Sequence, residues 1–74
     1  MSHDQRLVYM ANQIGSFFRS QGDDKAVHGI AEHINKFWNP RMRSAILAHW
    51  EAGGEGLNPI VRKAMTALRK PGSH

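Results

Sequence analysis

One eight-residue device occurs twice in this chain, nineteen residues apart, and it dictates where helices can begin. Trp38-Asn39-Pro40-Arg41-Met42-Arg43-Ser44-Ala45 and Leu57-Asn58-Pro59-Ile60-Val61-Arg62-Lys63-Ala64 share a large apolar residue, then Asn, Pro, two variable positions, Arg, one variable position and Ala. Asn is a favoured N-cap because its side-chain oxygen accepts a backbone N–H that the helix itself leaves without a partner. Pro belongs at the first helical position, where no N–H is needed. It also disfavours the helical basin at the residue before it, so a helix arriving from upstream must stop there. Each copy therefore opens a helix. Two copies are too few for a stacked repeat, which needs about three units or more.

Around these two starts the apolar residues fall at helical spacing. Over residues 4–20, Leu7, Met10, Ala11, Ile14, Phe17 and Phe18 lie at offsets of three and four, the stripe of an amphipathic helix. Gln21-Gly22 supplies a C-cap glycine, and Asp23-Asp24 offers a cap and first-turn negative charge for a second helix. That helix carries Val27, Ile30, Ala31, Ile34, Phe37 and Trp38, with Glu32 and Lys36 as an i,i+4 pair. A third, over residues 40–52, turns Met42, Ala45, Ile46, His49 and Trp50 inward and ends at Gly53-Gly54-Glu55-Gly56. A fourth, over residues 59–70, presents Val61, Ala64, Met65 and Leu68. No segment alternates with period two for long enough to be a strand. The predicted class is all-α, a small bundle of about four short helices, with one domain over residues 1–70 and a disordered tail at 71–74.

At 74 residues the chain buries only a modest share of its unfolded surface, so a partner or unusually tight helix packing is expected to support it. The absence of cysteine removes disulfides and thiolate metal sites and fits a reducing cytoplasm. No apolar run approaches the ~18–20 residues that cross a bilayer, and Met1-Ser2-His3-Asp4-Gln5-Arg6 lacks the layout of a signal peptide, so a soluble cytoplasmic chain is expected. The net charge of +4 is one-sided. Residues 1–37 carry four cationic and four acidic side chains, whereas residues 38–74 carry Arg41, Arg43, Arg62, Lys63, Arg69 and Lys70 against Glu51 and Glu55. Such a field favours an acidic partner; solvated helix faces are the blander reading.

Chemistry finds little support. His28 and His33 are five residues apart, roughly 140° around a helix, unlike the i,i+4 pair that holds zinc from one face. His33 and His49 read as partly buried residues with a hydrogen-bond partner. Carboxylates are scattered, and Ser16, Ser20 and Ser44 have no evident base, so no active site of its own is expected. The Gly-rich run follows a helix rather than a strand, so it reads as a tight reversal before an anion-binding nest. Gly15 and Gly29 sit inside the two most periodic helices, where two readings stand level: close approach of another backbone, within the fold or from a partner, or a tolerated weak spot.

Neighbouring helical residues point about 100° apart, so Phe17 with Phe18, Phe37 with Trp38, and Ile46 with Leu47 and Trp50 cannot all face one narrow core. Surplus aromatic surface beside arginines resembles an interface centre. The candidate partner-binding residues are Phe37, Trp38, Arg41, Arg43, Leu47, Trp50, Gly53, Gly54, Gly56 and Arg62.

Three segments carry a specific likeness: Met10-Ala11-Asn12-Gln13-Ile14-Gly15-Ser16-Phe17-Phe18, the run from Gly29 through Phe37-Trp38-Asn39-Pro40-Arg41-Met42-Arg43, and Ala52-Gly53-Gly54-Glu55-Gly56-Leu57 with Pro59, Val61 and Arg62. Together, over roughly residues 6–69, they resemble the delta subunit of soluble NAD-dependent formate dehydrogenases. The resemblance implies an accessory subunit without cofactor. In that enzyme class a catalytic alpha subunit carries a molybdenum or tungsten bis-pterin cofactor and iron–sulfur clusters, and companion subunits bearing FMN pass electrons to NAD. The expected role is docking on the alpha subunit to stabilise or help mature the complex, through the face of Phe37, Trp38, Arg41, Arg43 and the Gly-rich turn.

Two rivals stand beside it. A basic half and short interhelical turns are compatible with a helix-turn-helix-like nucleic-acid-binding module, although few polar base-reading side chains gather on one helix. Self-association of the bundle is the third reading.

Overall fold

Ser2 opens the first helix with a capping box, its hydroxyl accepting the Gln5 N–H at 3.1 Å while Gln5 Oε1 accepts the Ser2 N–H at 3.0 Å, so two otherwise unpaired donors are satisfied. The computed structural model describes residues 2–69. Helix α1 spans His3–Phe18 and runs into a single 3₁₀ turn, Arg19–Gln21. Helix α2 spans Asp23–Phe37, α3 spans Pro40–Glu51 and α4 spans Pro59–Met65. Four helices and no strand among the described residues make the all-α bundle that the periodicity predicts. The expected end of the fourth helix at Lys70 and the expected tail at 71–74 lie outside the described residues.

Helix α2 packs on α1 and α4, while α1 also meets α3 and α4. Its buried residues Ala26, Ile30, Ala31 and Ile34 fall on one face, linked by offsets of three and four. Ile30, Ala31 and Ile34 meet Leu7, Val8 and Ala11 of α1, Ile46 and Leu47 of α3, and Val61, Ala64 and Met65 of α4 in a single core. Burying an isoleucine the size of Ile30, which is fully enclosed, contributes about 1.5–3 kcal/mol. No polar side chain is buried among the described residues.

Several local expectations are corrected. Leu47, expected outside, is 5% exposed and joins Ile46 in the core, because α3 touches α1 and α4 and so has two covered flanks. Met42, Ala45, His49 and Trp50 are half-buried. The N-cap of α2 is Gly22, without a side-chain cap hydrogen bond, and Asp23 and Asp24 lie in the first turn. Their negative charge there still suits the helix dipole. Glu32 Oε2 meets His28 Nε2 at 3.2 Å, and Lys36 Nζ sits 5.6 Å from the Phe37 ring centroid, in place of the expected Glu32–Lys36 pair. Helix α4 stops at Met65, earlier than its periodicity suggests. Beyond it, the Asn35 amide donates to the Ala67 carbonyl at 3.2 Å and accepts the Arg69 N–H at 2.8 Å. This clamp holds the chain in a bend with Leu68 buried.

Gly15 and Gly29 do mark close approaches, but of side chains rather than a backbone. A Cβ on Gly15 would lie 2.7 Å from Val61 Cγ2, and one on Gly29 would lie 2.7 Å from the Phe18 ring. Val61 is β-branched and fully buried, so it has little freedom to yield. Gly15→Ala should therefore destabilise the protein by about 1–2 kcal/mol in urea unfolding, overpacking outweighing the helix-propensity gain of about 1 kcal/mol. A stabilised variant would show that propensity wins.

Candidate functional site

The Gly-rich link between α3 and α4 has no regular secondary structure to occupy its carbonyls, and three side chains take that role. Arg62 donates from Nη1 to the Gly53 carbonyl at 3.0 Å, from Nη2 to Gly54 at 2.7 Å and from Nε to Leu57 at 3.3 Å. His49 Nε2, 2.7 Å away, reaches the Glu55 carbonyl. Asn12 Nδ2 donates to the Gly56 carbonyl at 2.9 Å, and Asn12 Oδ1 accepts the Asn58 N–H at 3.0 Å. Five consecutive carbonyls, residues 53–57, thus have donors from outside the link. Gly53, Gly54 and Gly56 all take positive φ, with Gly54 buried at φ 65°, a conformation that suits only glycine well. The N–H groups of Gly53, Gly54 and Leu57 are donated to Trp50, His49 and Gly54, so they are committed internally rather than to a bound anion.

The two Asn-Pro devices build matching corners. In the first, Asn39 Oδ1 caps α3 by accepting the Met42 N–H at 2.9 Å, and Arg43 Nη1 donates back to the Trp38 carbonyl at 2.7 Å. In the second, Arg62 Nε donates to Leu57, again five residues back. Trp38 and Leu57, the apolar residues that lead each device, are each 5% exposed. Asn58, however, makes no side-chain cap hydrogen bond; its N–H is spoken for by Asn12. A longer 3.4 Å contact joins Arg43 Nε to the Arg69 carbonyl.

The ten candidate partner residues consequently divide by environment. Trp38, Leu47 and Gly54 are buried, while Arg43 and Trp50 are half-buried. Arg43 and Arg62 direct their guanidinium groups at backbone carbonyls within the chain. Phe37, Arg41, Gly53, Gly56 and Arg62 are exposed. Phe37 is 66% exposed, and Phe17 and Tyr9 are 73% and 57% exposed. Phe17 stands edge-on to Phe18 with ring centroids 5.1 Å apart, and Phe37 packs on His33 at 4.8 Å. Helical spacing alone did not single out Phe18, Gly29, His33 and Phe37 as one surface, since two helices contribute to it. Asn12 and Asn35 were also missed; an Asn inside each of two strongly amphipathic helices, where it is a poor helix former, was the available signal.

Among the described residues, no group of three or more His, Asp or Glu side chains could hold a metal ion. No helix among them is long and apolar enough to cross a membrane. Replacing Arg62 by Lys exchanges a planar fork that reaches three carbonyls for a single point donor. Arg62→Lys should lower unfolding stability by about 1–2 kcal/mol, read by urea denaturation; an unchanged midpoint would show that the fork contributes nothing.

No curated protein and no solved structure matches the chain. A family model does, described as NADH-dependent formate dehydrogenase delta subunit FdsD, and it aligns with residues 6–65. That span holds both Asn-Pro corners, the Gly-rich link and the Asn12 contacts that hold it, and the chain accordingly belongs to the formate dehydrogenase delta-subunit family.

Proposed function

We propose that this chain is a non-catalytic accessory subunit that docks on the cofactor-bearing alpha subunit of an NAD-dependent formate dehydrogenase and stabilises or helps mature the complex in the cytoplasm. The observation that carries the reading is the surplus of apolar surface on a completed fold. The core closes without Phe17 and Phe37, which remain 73% and 66% exposed. Large exposed aromatics on so small a protein point to association. A standard interface of about 800 Å² per partner would cover roughly a sixth of the 5021 Å² surface.

The docking face we propose includes Phe37 and Arg41, with Gly53 and Gly56 at the link. Trp38, Arg43, Leu47, Trp50, Gly54 and Arg62 support it from behind, by packing or by holding the backbone that presents it. In the enzyme, the pterin, iron–sulfur and flavin groups belong to the other subunits, and this chain acts on them through binding alone. Binding only the folded, cofactor-loaded partner shifts that equilibrium by mass action, by about 2.7 kcal/mol when the subunit is present at a hundredfold its Kd. The nucleic-acid reading gains nothing from α3 as a recognition helix. The outward positions of α3 include one cation, Arg41, together with Ser44, Ala48 and Glu51, a poor set for a phosphate backbone.

Two experiments test the proposal. Expressing the complex without this chain should lower its molybdenum or tungsten content and its formate oxidation rate; unchanged values of both remove the maturation role. Arg41→Glu should weaken co-purification with the alpha subunit while leaving Tm within about 4 °C, as expected for an exposed position. Co-purification at the wild-type level would exclude Arg41 from the docking face.

A further inference from the structure

Four residues of α2, Gly29, Glu32, His33 and Lys36, bound a depression on the outer side of the bundle, with Phe18 and Phe37 as its walls and a volume of about 270 Å³. Their spacing of i, i+3, i+4 and i+7 is that of the four residues which surround a knob when two helices pack side by side. Gly29 makes the floor. It lets the Phe18 ring lie on α2, where a Cβ would approach that ring to 2.7 Å. Phe17 extends the apolar wall through its edge-on contact with Phe18, and His33 packing on Phe37 closes the opposite side.

We infer that this depression is the docking hole for a helix of a larger formate dehydrogenase subunit, one that inserts a single large apolar side chain and carries a carboxylate beside it. The inference rests on the accessory-subunit reading and specifies its contact. Helix-in-groove recognition uses this arrangement of one apolar anchor and flanking charge. The carboxylate is called for by the rim. Glu32 leans toward His28, one turn nearer the start of α2, at 3.2 Å, whereas the Lys36 ammonium rests over the Phe37 ring, so the Phe37 side of the rim presents a cation to an anionic neighbour. A second copy of the chain fits less well. Two copies bring two charges of +4 together, which opposes association. Of the exposed large apolar residues, Phe17 and Phe37 already belong to the walls, and Tyr9 is flanked at helical spacing by Gln5, Arg6, Asn12 and Gln13, which form no apolar stripe.

The test is a calorimetric titration of the full-length chain into the remaining subunits, expressed together without it. The Phe17→Ser, Phe37→Ser double variant should bind at least about thirtyfold more weakly, the loss typical of aromatic anchors at interface centres. Lys36→Glu should also weaken binding, and Tyr9→Ser should bind as wild type. Circular dichroism melts check that each variant folds, and the Lys36→Glu titration decides the matter if the double variant does not fold. A folded double variant or a Lys36→Glu variant that binds like wild type overturns the hole while leaving the accessory role intact. A wild-type chain that binds none of the subunits overturns both. Sedimentation that shows a wild-type dimer, dissociated by the double variant, assigns the hole to a second copy and overturns the inference.

Discussion

The chain reverses direction between α3 and α4 through a link rich in glycine, and the fold depends on how that link's backbone is satisfied. A carbonyl withdrawn from water without a donor costs about 1–3 kcal/mol; Gly54 and Leu57 are buried, and their carbonyls take part-buried donors from Arg62, while the exposed carbonyls of Gly53, Glu55 and Gly56 gain side-chain donors that fix the course of the link. Arg62 answers three of them from the first turns of α4. His49 answers one from the last turn of α3, and Asn12 answers one from the middle of α1. Each helix bordering the link therefore also holds it, and α1 fastens it to the rest of the core. Glycine at the positive-φ positions lets the carbonyls turn outward toward these donors.

The same economy explains the arginines in both Asn-Pro devices. An arginine near two helix starts invites a reading as an anion receptor, yet Arg43 and Arg62 spend their donors on carbonyls five residues back. The device is a corner: an apolar residue buried as an anchor, a proline that compels a new helix, and an arginine that ties the bend. Cationic charge on such a chain is partly structural, and the part left for a partner is smaller than the net charge of +4 suggests. The aromatic surplus, by contrast, is not absorbed by the fold.

Much of the architecture was legible because proline and helical periodicity act locally. The starts of α3 and α4 follow from Asn39-Pro40 and Asn58-Pro59, and the inward residues of α4 were the ones its spacing selects. Where two covered flanks meet, periodicity misled. Leu47 was expected at the surface on geometry that assumed one covered face, and α3 has two. Trp38 is likewise interior because the corner folds it under. The candidate surface was half legible: Phe37 and Arg41 could be named from their neighbours, but Phe17, Phe18, Gly29 and His33 join it only once α1 and α2 lie side by side.

The amino-acid order alone determined that the chain is helical, where α3 and α4 begin, that it lacks thiolate chemistry, and that it carries more aromatic residues than one narrow core can face. Those properties reside in dihedral preferences and side-chain chemistry within a few residues of each position. Only the tertiary arrangement decided which aromatics stay outside, what Arg43, Arg62, Asn12 and Asn35 hold, and where a depression forms. Those outcomes turn on contacts between residues up to 46 positions apart, and a sequence pattern read one helix at a time holds no record of which neighbour arrives.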